Sequence, residues 1–180
     1  MRTGNIVILC GDSGSGKTTL LLKLIEQLKK NKLIKKGILS PAVFEDARKT
    51  GINLLNVYTG EECSFAKPND SGEGVLATRG WRMDPKAVEY AKATLKLATP
   101  CDILFVDELG PLEFDRREGL IEGFSALNSR AYQLALVTIR PTLLDKARAL
   151  WPDAKVLVVT RDSQDDLILE LIEMINSKNI

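Results

Sequence analysis

The sequence predicts an α/β protein with a mostly parallel sheet between helices and a small antiparallel β insert after the first helix. Two observations carry this prediction. Short apolar runs alternate with segments of helical periodicity over most of the chain, as in successive βαβ units. Between residues 37 and 80, by contrast, the apolar runs are separated only by turn residues, which is typical of antiparallel strands. A length of 180 residues fits a single domain, 1–180, in which the insert spans approximately 37–80.

The first strand and helix follow from the N-terminal pattern. Residues 6–10 form a short run, rich in β-branched residues and closed by Gly11, as expected of a buried parallel strand. After Gly16, leucine and isoleucine recur at helix-face spacing, which predicts a helix. Its lysine-rich end meets the negative end of the helix dipole, so we interpret it as solvated structure rather than a nucleic-acid patch.

The insert is predicted from four short apolar runs between turn residues. These runs are 38–39, 42–44, 52–57 and 63–66. Residues 67–80 are rich in Gly, Pro, Asn, Asp and Ser, which predicts a mobile loop.

Alternating helices and strands resume at residue 84. Asp84 followed by Pro85 predicts a helix N-terminus, because Asp accepts hydrogen bonds from the first free N–H groups and Pro suits the first helical position. Strands are then predicted at 103–106, 134–139 and 156–159, and helices near 116–128, 142–150 and 163–177.

The composition excludes several classes of function. The chain contains no His, which excludes Ser-His-Asp and Cys-His catalysis, His-ligated zinc and His-based pH switching. A formal net charge of +1 argues against a broad binding surface for nucleic acid or anionic lipid. No apolar run approaches the ~20 residues of a membrane span, and the run at 6–10 is too short for a signal peptide. We therefore expect a cytoplasmic protein without membrane contact, whose three Cys are buried free thiols.

A phosphate-binding motif lies between the first strand and the first helix. Every position of G-x-x-x-x-G-K-[ST] is matched by Gly11, Asp12, Ser13, Gly14, Ser15, Gly16, Lys17 and Thr18. The glycines let backbone N–H groups close around phosphate oxygens, and the helix dipole adds positive charge at the same point. Lys17 is expected to bridge the β- and γ-phosphates, Thr18 to ligate Mg²⁺, and Thr19 to contact the α-phosphate side. Residues 11–19 are thus predicted to bind a nucleoside triphosphate.

Two carboxylates follow the predicted strand 103–106. Because this strand is expected beside the first, Asp107 is predicted to hold Mg²⁺, and Glu108 to polarise a water aimed at the γ-phosphate. In a chain without His, a carboxylate is the expected base. Glu113 is either a second acidic group near this site or a loop residue, and Thr138 either contacts the γ-phosphate or packs in the core.

An arginine is expected to supply further positive charge to the transition state. Arg140 ranks first, because it directly follows a predicted strand, where ligand-facing loops lie. The other candidates are Arg48, Arg79, Arg82, Arg116 and Arg117. Trp81 either stacks on a base or anchors the loop before the following helix.

This pattern resembles the small P-loop nucleoside-triphosphatases first described from thermophiles, a family with a cancer-related vertebrate member. The resemblance rests on residues 11–19 and on Asp107-Glu108-Leu109-Gly110-Pro111-Leu112-Glu113, which is similar to the family's Asp-Glu-Ile-Gly-x-Met-Glu. It implies a RecA-like fold and slow Mg²⁺-dependent hydrolysis of ATP, GTP and other NTPs, with Lys17 and Thr18 at the phosphates and metal and Glu108 at the water. Residues 37–44 depart from the family's Gly-Phe-x-Thr-x-Glu-x-Arg, because they lack both the Glu and the Arg.

The expected function is Mg²⁺-dependent hydrolysis of nucleoside triphosphates, with Glu108, Lys17 and Arg140 as catalytic residues. Two alternatives stay open: a nucleoside or small-metabolite kinase, for which the insert would form a second pocket, and a nucleotide-dependent switch, which the altered residues 40–44 favour. No guanine-specific Asn-Lys-x-Asp motif is present, so ATP and GTP are both expected substrates. The sequence identifies no protein partner.

Overall fold

The computed structural model describes residues 4–71, 73, 76–78 and 80–177. The strands are β1 Asn5–Cys10, β2 Lys35–Leu39, β3 Ala42–Glu45, β4 Arg48–Asn56, β5 Glu62–Asn69, β6 Ala77–Thr78, β7 Gly80–Met83, β8 Ile103–Val106, β9 Leu134–Ile139 and β10 Lys155–Val158. The helices are α1 Lys17–Gln27, α2 Pro85–Lys96, α3 Glu122–Asn128, α4 Leu144–Leu150 and α5 Gln164–Asn176.

The strands form one sheet with a parallel and an antiparallel part. The parallel part has the order β10-β1-β9-β8-β2. The antiparallel part continues through β4, β5, β7 and β6, and β3 pairs with β4. This confirms the predicted α/β class. The carboxyl ends of the parallel strands meet at one edge, where ligands bind in sheets of this type.

The parallel strands are buried on both faces, which explains their continuous apolar runs. Along β1, Ile6, Ile8 and Cys10 pack in one cluster with residues of α2, α3 and α4. Val7 and Leu9 point to the opposite face and pack with α1 and α5. Two apolar clusters therefore enclose the sheet and hold the strand ends in place.

β2 joins the insert to the parallel part of the sheet. It pairs antiparallel with β4 at Ile38 and Leu39, as predicted for the insert, and its other edge pairs in parallel with β8. The prediction of a loop over 67–80 was wrong at its start, because β5 continues to Asn69 and pairs with β7. Arg79 in that segment lies outside the described residues. Apolar runs this short carry too little periodicity to distinguish a core strand from a hairpin strand.

The predicted helix 116–128 is interrupted. A π-helical turn covers Leu112–Arg116, and α3 begins only at Glu122. Arg117 and Gly119 have φ values of 57° and 70°, which no right-handed helix can contain. The apolar spacing in this segment therefore reflects burial of a turn and a short helix.

Two further expectations concern the burial of the cysteines and the presence of a membrane-spanning helix. Cys10 and Cys101 are buried but Cys63 is exposed, so the prediction of three buried thiols was wrong. Over the described ranges, no helix combines the length and apolar character that a membrane crossing requires.

The N-cap of α2 gives a first test of the fold. Asp84 accepts hydrogen bonds from the N–H groups of Lys86 at 2.9 Å and Ala87 at 3.0 Å, as predicted. Asp84→Ala is expected to lower the free energy of unfolding by about 1 kcal/mol, because both donors lose their acceptor. Asp84→Ser keeps an acceptor and is expected to stay within about 0.5 kcal/mol of wild type in urea denaturation. Equal losses in the two variants would contradict the capping role.

Candidate functional site

The phosphate-binding motif forms a loop between β1 and α1. Gly14 and Gly16 have φ values of 81° and 95°, in the left-handed region that favours glycine. A Cβ atom at Gly16 would also lie 2.1 Å from Nε2 of Gln164, so that side chain would have to move. No side chain caps the start of α1, so the N–H groups of its first turn lack a side-chain acceptor. The loop and helix start thus offer backbone donors to an anion.

Lys17 lies buried beneath this loop. It is only 5% exposed, and its Nζ donates hydrogen bonds to the carbonyls of Gly11 at 2.6 Å and Asp12 at 2.9 Å. The Ser15 hydroxyl is buried and has no hydrogen-bond partner among the described residues. A buried ammonium beside an unsatisfied hydroxyl fits the approach of phosphate oxygens.

Asp107 connects α1, the residue after β2 and the end of β9 at the carboxyl edge of the sheet. Its Oδ2 accepts hydrogen bonds from Thr18 Oγ1 at 2.8 Å and from the Ser40 N–H at 3.0 Å. Its Oδ1 accepts from Thr138 Oγ1 at 2.6 Å, so the buried Thr138 orients this carboxylate. Because Asp107 is 1% exposed, these contacts hold its carboxylate in one orientation. The structure thus brings Thr18 and Asp107, the two predicted metal ligands, into contact.

The oxygens of Thr18 and Asp107 fit a hard divalent cation. Mg²⁺ prefers oxygen ligands and is usually held by one or two protein side chains together with substrate phosphates. Across the part of the chain that the structure describes, no group of three or more His, Cys, Asp or Glu residues is placed to hold a metal. A cation here therefore depends on phosphate oxygens in addition to Thr18 and Asp107.

Glu108 and Arg140 form an ion pair after β8 and β9. The Nε of Arg140 donates to Oε1 of Glu108 at 2.6 Å. The Glu108 side chain is 25% exposed and that of Arg140 43%. Only Nε takes part in this contact, so the terminal N–H groups of Arg140 can still bind an anion. Two of the predicted catalytic residues are therefore in direct contact.

Glu113 fixes the loop that follows β8. It is 2% exposed, and its two carboxylate oxygens accept hydrogen bonds from the N–H groups of Gly110 and Leu120, each at 2.8 Å. Burial raises the pKa of this carboxyl, while the two backbone donors oppose the increase. Glu113 is therefore not a solvated residue: its buried carboxylate caps two backbone N–H groups and lines the same cavity as Glu108.

The described arginine candidates other than Arg140 do not line the cavity described next. Arg116 pairs with Glu118 at 2.8 Å, and Arg117 lies over the ring of Phe124. Arg48 and Arg82 are exposed and absent from this cavity. Arg79 lies outside the described residues.

A cavity of about 760 Å³ extends along the carboxyl edge of the sheet. Arg161 and Gln164, which follow β10, line one end, and the phosphate-binding loop comes next. By the strand order β10-β1-β9-β8-β2, Arg140, Asp107 and Glu108 follow toward the middle, and the antiparallel insert lines the other end. The volume falls within the ~300–1,000 Å³ range that is typical of small-molecule sites.

The insert end of the cavity has an apolar wall. It is formed by Ile52, Phe65, Trp81 and Met83, and we refer to these residues as the insert chamber. Trp81 also packs partly against the core, which favours its role as an anchor. In addition, its side chain lines the cavity. The sequence allows a pocket in the insert, but no local pattern predicts which side chains form its wall, because they come from separate strands.

Lys49 lies where the insert chamber approaches Glu108. Its Nζ is 4.6 Å from the centroid of the Trp81 ring. Burial lowers the pKa of this half-buried lysine, and the negative charge of Glu108 opposes the change. Sequence reasoning named neither Lys49 nor Ser40 as a site residue, because neither belongs to a motif. For Ser40 a signal existed: it directly follows a strand, as Asp107 does.

Relatives of this chain are nucleoside-triphosphatases. The nucleoside-triphosphatase THEP1 of Saccharolobus solfataricus is 29% identical over 175 residues, which cover 95% of this chain and 93% of that protein. The THEP1 of Methanocaldococcus jannaschii is 32% identical over 114 residues, which cover 62% of this chain and 65% of that protein.

Solved structures share the fold. A human cancer-related nucleoside triphosphatase superposes with a TM-score of 0.69 at 22% identity, covering 97% of this chain and 98% of that one. THEP1 from Aquifex aeolicus gives a TM-score of 0.65 at 20% identity, covering 94% and 98%. The model of a family described as NTPase matches residues 6–172, which run from β1 into α5. The resemblance predicted from the sequence is thereby confirmed, and this chain belongs to the NTPase family.

Proposed function

We propose that this chain hydrolyses nucleoside triphosphates, ATP, GTP or others, to diphosphate and phosphate in a Mg²⁺-dependent reaction. The position of Glu108 carries the proposal. Glu108 follows the Asp107 that contacts Thr18 of the phosphate-binding loop, and its carboxylate lines the cavity in contact with Arg140. Membership of the NTPase family and the activity named for its relatives support the same reaction.

The phosphate-binding loop supplies the contacts for the triphosphate. Backbone N–H groups of residues 11–19 bind the phosphate oxygens, and Lys17 exchanges its carbonyl acceptors for β- and γ-phosphate oxygens. The α-phosphate and the base then lie toward Thr19, Leu22 and Arg161, at the β10 end of the cavity. No side chain in the sequence singles out one base, which supports broad use of NTPs.

Thr18 and Asp107 are the residues that would hold Mg²⁺. When bound, this ion supplies positive charge to the β- and γ-phosphate oxygens. Thr138 and the Ser40 N–H keep the Asp107 carboxylate oriented toward Thr18. The oxygen-only donor set supports Mg²⁺ rather than a softer metal.

Glu108 acts as the base for the attacking water. The water oxygen forms a bond to the γ-phosphorus while its proton passes to the Glu108 carboxylate. The bond from the γ-phosphorus to the bridging oxygen breaks, and nucleoside diphosphate leaves. Arg140 positions the carboxylate through Nε, and its terminal N–H groups bind γ-phosphate oxygens as charge redistributes.

Phosphate release from ATP, GTP, CTP and UTP tests this proposal. The full chain is expected to release phosphate with Mg²⁺, and EDTA is expected to lower the rate by about 100-fold or more, since the metal contributes several kcal/mol to charge stabilisation. Equal rates with and without EDTA would overturn the metal dependence. Failure to release phosphate from all four nucleotides would overturn the hydrolase.

A further inference from the structure

The insert chamber lies beyond the γ-phosphate position. Along the carboxyl edge, the strand order β10-β1-β9-β8-β2 places Arg161 at one end, the phosphate-binding loop next, and Glu108 toward the insert. In the proposed function the nucleobase lies at the Arg161 end of the cavity, and the γ-phosphate lies at Glu108. The nucleotide therefore occupies the β10 end and the loop, and the insert chamber extends past its last phosphate.

Hydrolysis requires room only for a water at this point. The chamber is instead walled by large side chains of three insert strands, among them Phe65 and Trp81, and by Leu112 from the loop after β8. Phe65 and Leu112 are 3% and 1% exposed, so this wall is anchored in the core. A concave apolar wall with an aromatic face and few polar groups is typical of a site for a small organic molecule.

The charges of the chamber limit which molecule fits. Among the described residues, Lys49 is the cation that the insert contributes to the cavity, and in the proposed function the terminal N–H groups of Arg140 are used by the γ-phosphate of the nucleotide. Acceptors that carry a phosphate group are usually held by clusters of arginine and lysine. One lysine beside an aromatic ring fits an uncharged compound whose flat ring lies on Trp81.

We infer that the insert chamber binds a second substrate, an uncharged compound with a flat heteroaromatic ring and a hydroxyl group, of the nucleoside type, which accepts the γ-phosphoryl group. The inference rests on the proposed function, because it uses the same triphosphate site and Glu108 as the same general base. The hydroxyl oxygen forms a bond to the γ-phosphorus, the bond to the bridging oxygen breaks, and the hydroxyl proton passes to Glu108. The products are a phosphate monoester and a nucleoside diphosphate, and hydrolysis is the same reaction with water as acceptor.

Transfer of labelled phosphate tests this inference. The full chain is incubated with Mg²⁺, ATP labelled at the γ-phosphate, and adenosine, cytidine or thymidine, with the corresponding 5′-monophosphates as the control acceptors. A labelled phosphate ester of at least one nucleoside is expected, without labelling of the monophosphates. Labelled inorganic phosphate alone would overturn the inference and leave the hydrolase intact, whereas no release of label at all would overturn both. Labelling of the monophosphates in preference to the nucleosides would also overturn the inference.

Trp81 provides a readout that does not depend on turnover. The chain has two Trp, and Trp151 is 1% exposed. A nucleoside added without nucleotide or metal is therefore expected to change the fluorescence of Trp81. Trp81→Leu is expected to remove this change and to lower the ratio of transfer to hydrolysis by about tenfold or more, because the ring contact is lost.

Tyr58→Leu is the matched control. Tyr58 is 67% exposed and absent from the cavity wall, so the fluorescence change and the ratio of transfer to hydrolysis are expected to match wild type. The same ratio in the Trp81 and Tyr58 variants would overturn the placement of the acceptor in the insert chamber.

Discussion

Glu108→Gln is expected to lower kcat for NTP hydrolysis by about 100- to 10,000-fold, the contribution typical of a general base. Glutamine keeps the size of the side chain and a carbonyl acceptor for Arg140 Nε, but it cannot take a proton from water. The contacts of the phosphate-binding loop do not involve this side chain. Nucleotide affinity is therefore expected to stay within about tenfold of wild type, which corresponds to about 1.4 kcal/mol.

Single-turnover phosphate release and titration with a fluorescent nucleotide analogue separate these two effects. Glu118→Gln is a suitable control, because Glu118 makes an exposed ion pair with Arg116, and such pairs contribute little to stability. A Glu108→Gln variant that released phosphate at the rate of Glu118→Gln would show that another group activates the water.

Lys17→Ala is expected to lower kcat/KM by about 100- to 1,000-fold, the range for loss of one donor to a developing charge. Lys17 is the cation buried beneath the phosphate-binding loop, with its Nζ within 2.9 Å of two loop carbonyls. Its removal takes away a charged hydrogen bond to the phosphates in both the ground state and the transition state. Unlike Glu108→Gln, this substitution is therefore expected to weaken nucleotide binding as well as turnover.

Lys23→Ala on the same helix is the matched control. Lys23 is half exposed and makes a 3.5 Å ion pair with Asp165, so its loss removes a lysine from α1 without touching the loop. Phosphate release over a range of ATP concentrations gives kcat/KM for both variants. Equal values for Lys17→Ala and Lys23→Ala would contradict the assignment of Lys17 to the phosphates.

Local patterns in the sequence determined much of this protein. β8 and β9 have the bounds that their apolar runs predict, and α2 begins at the expected cap. The loop of residues 11–16 also lies where its motif predicts, between β1 and α1. Continuous apolar runs, capping residues and loop motifs are patterns of residues that are neighbours in sequence, and for this reason the sequence alone predicts the elements that they form.

Only the tertiary structure decided which distant residues complete the site. Asp107 receives hydrogen bonds from Thr18, Ser40 and Thr138, which follow or end three other strands. Which strand ends become neighbours depends on the order β10-β1-β9-β8-β2, and strand order leaves no trace in local periodicity. The same reason applies to the insert chamber, whose wall exists only because β4, β5 and β7 pair beside β2 and carry their side chains to the edge where Glu108 lies.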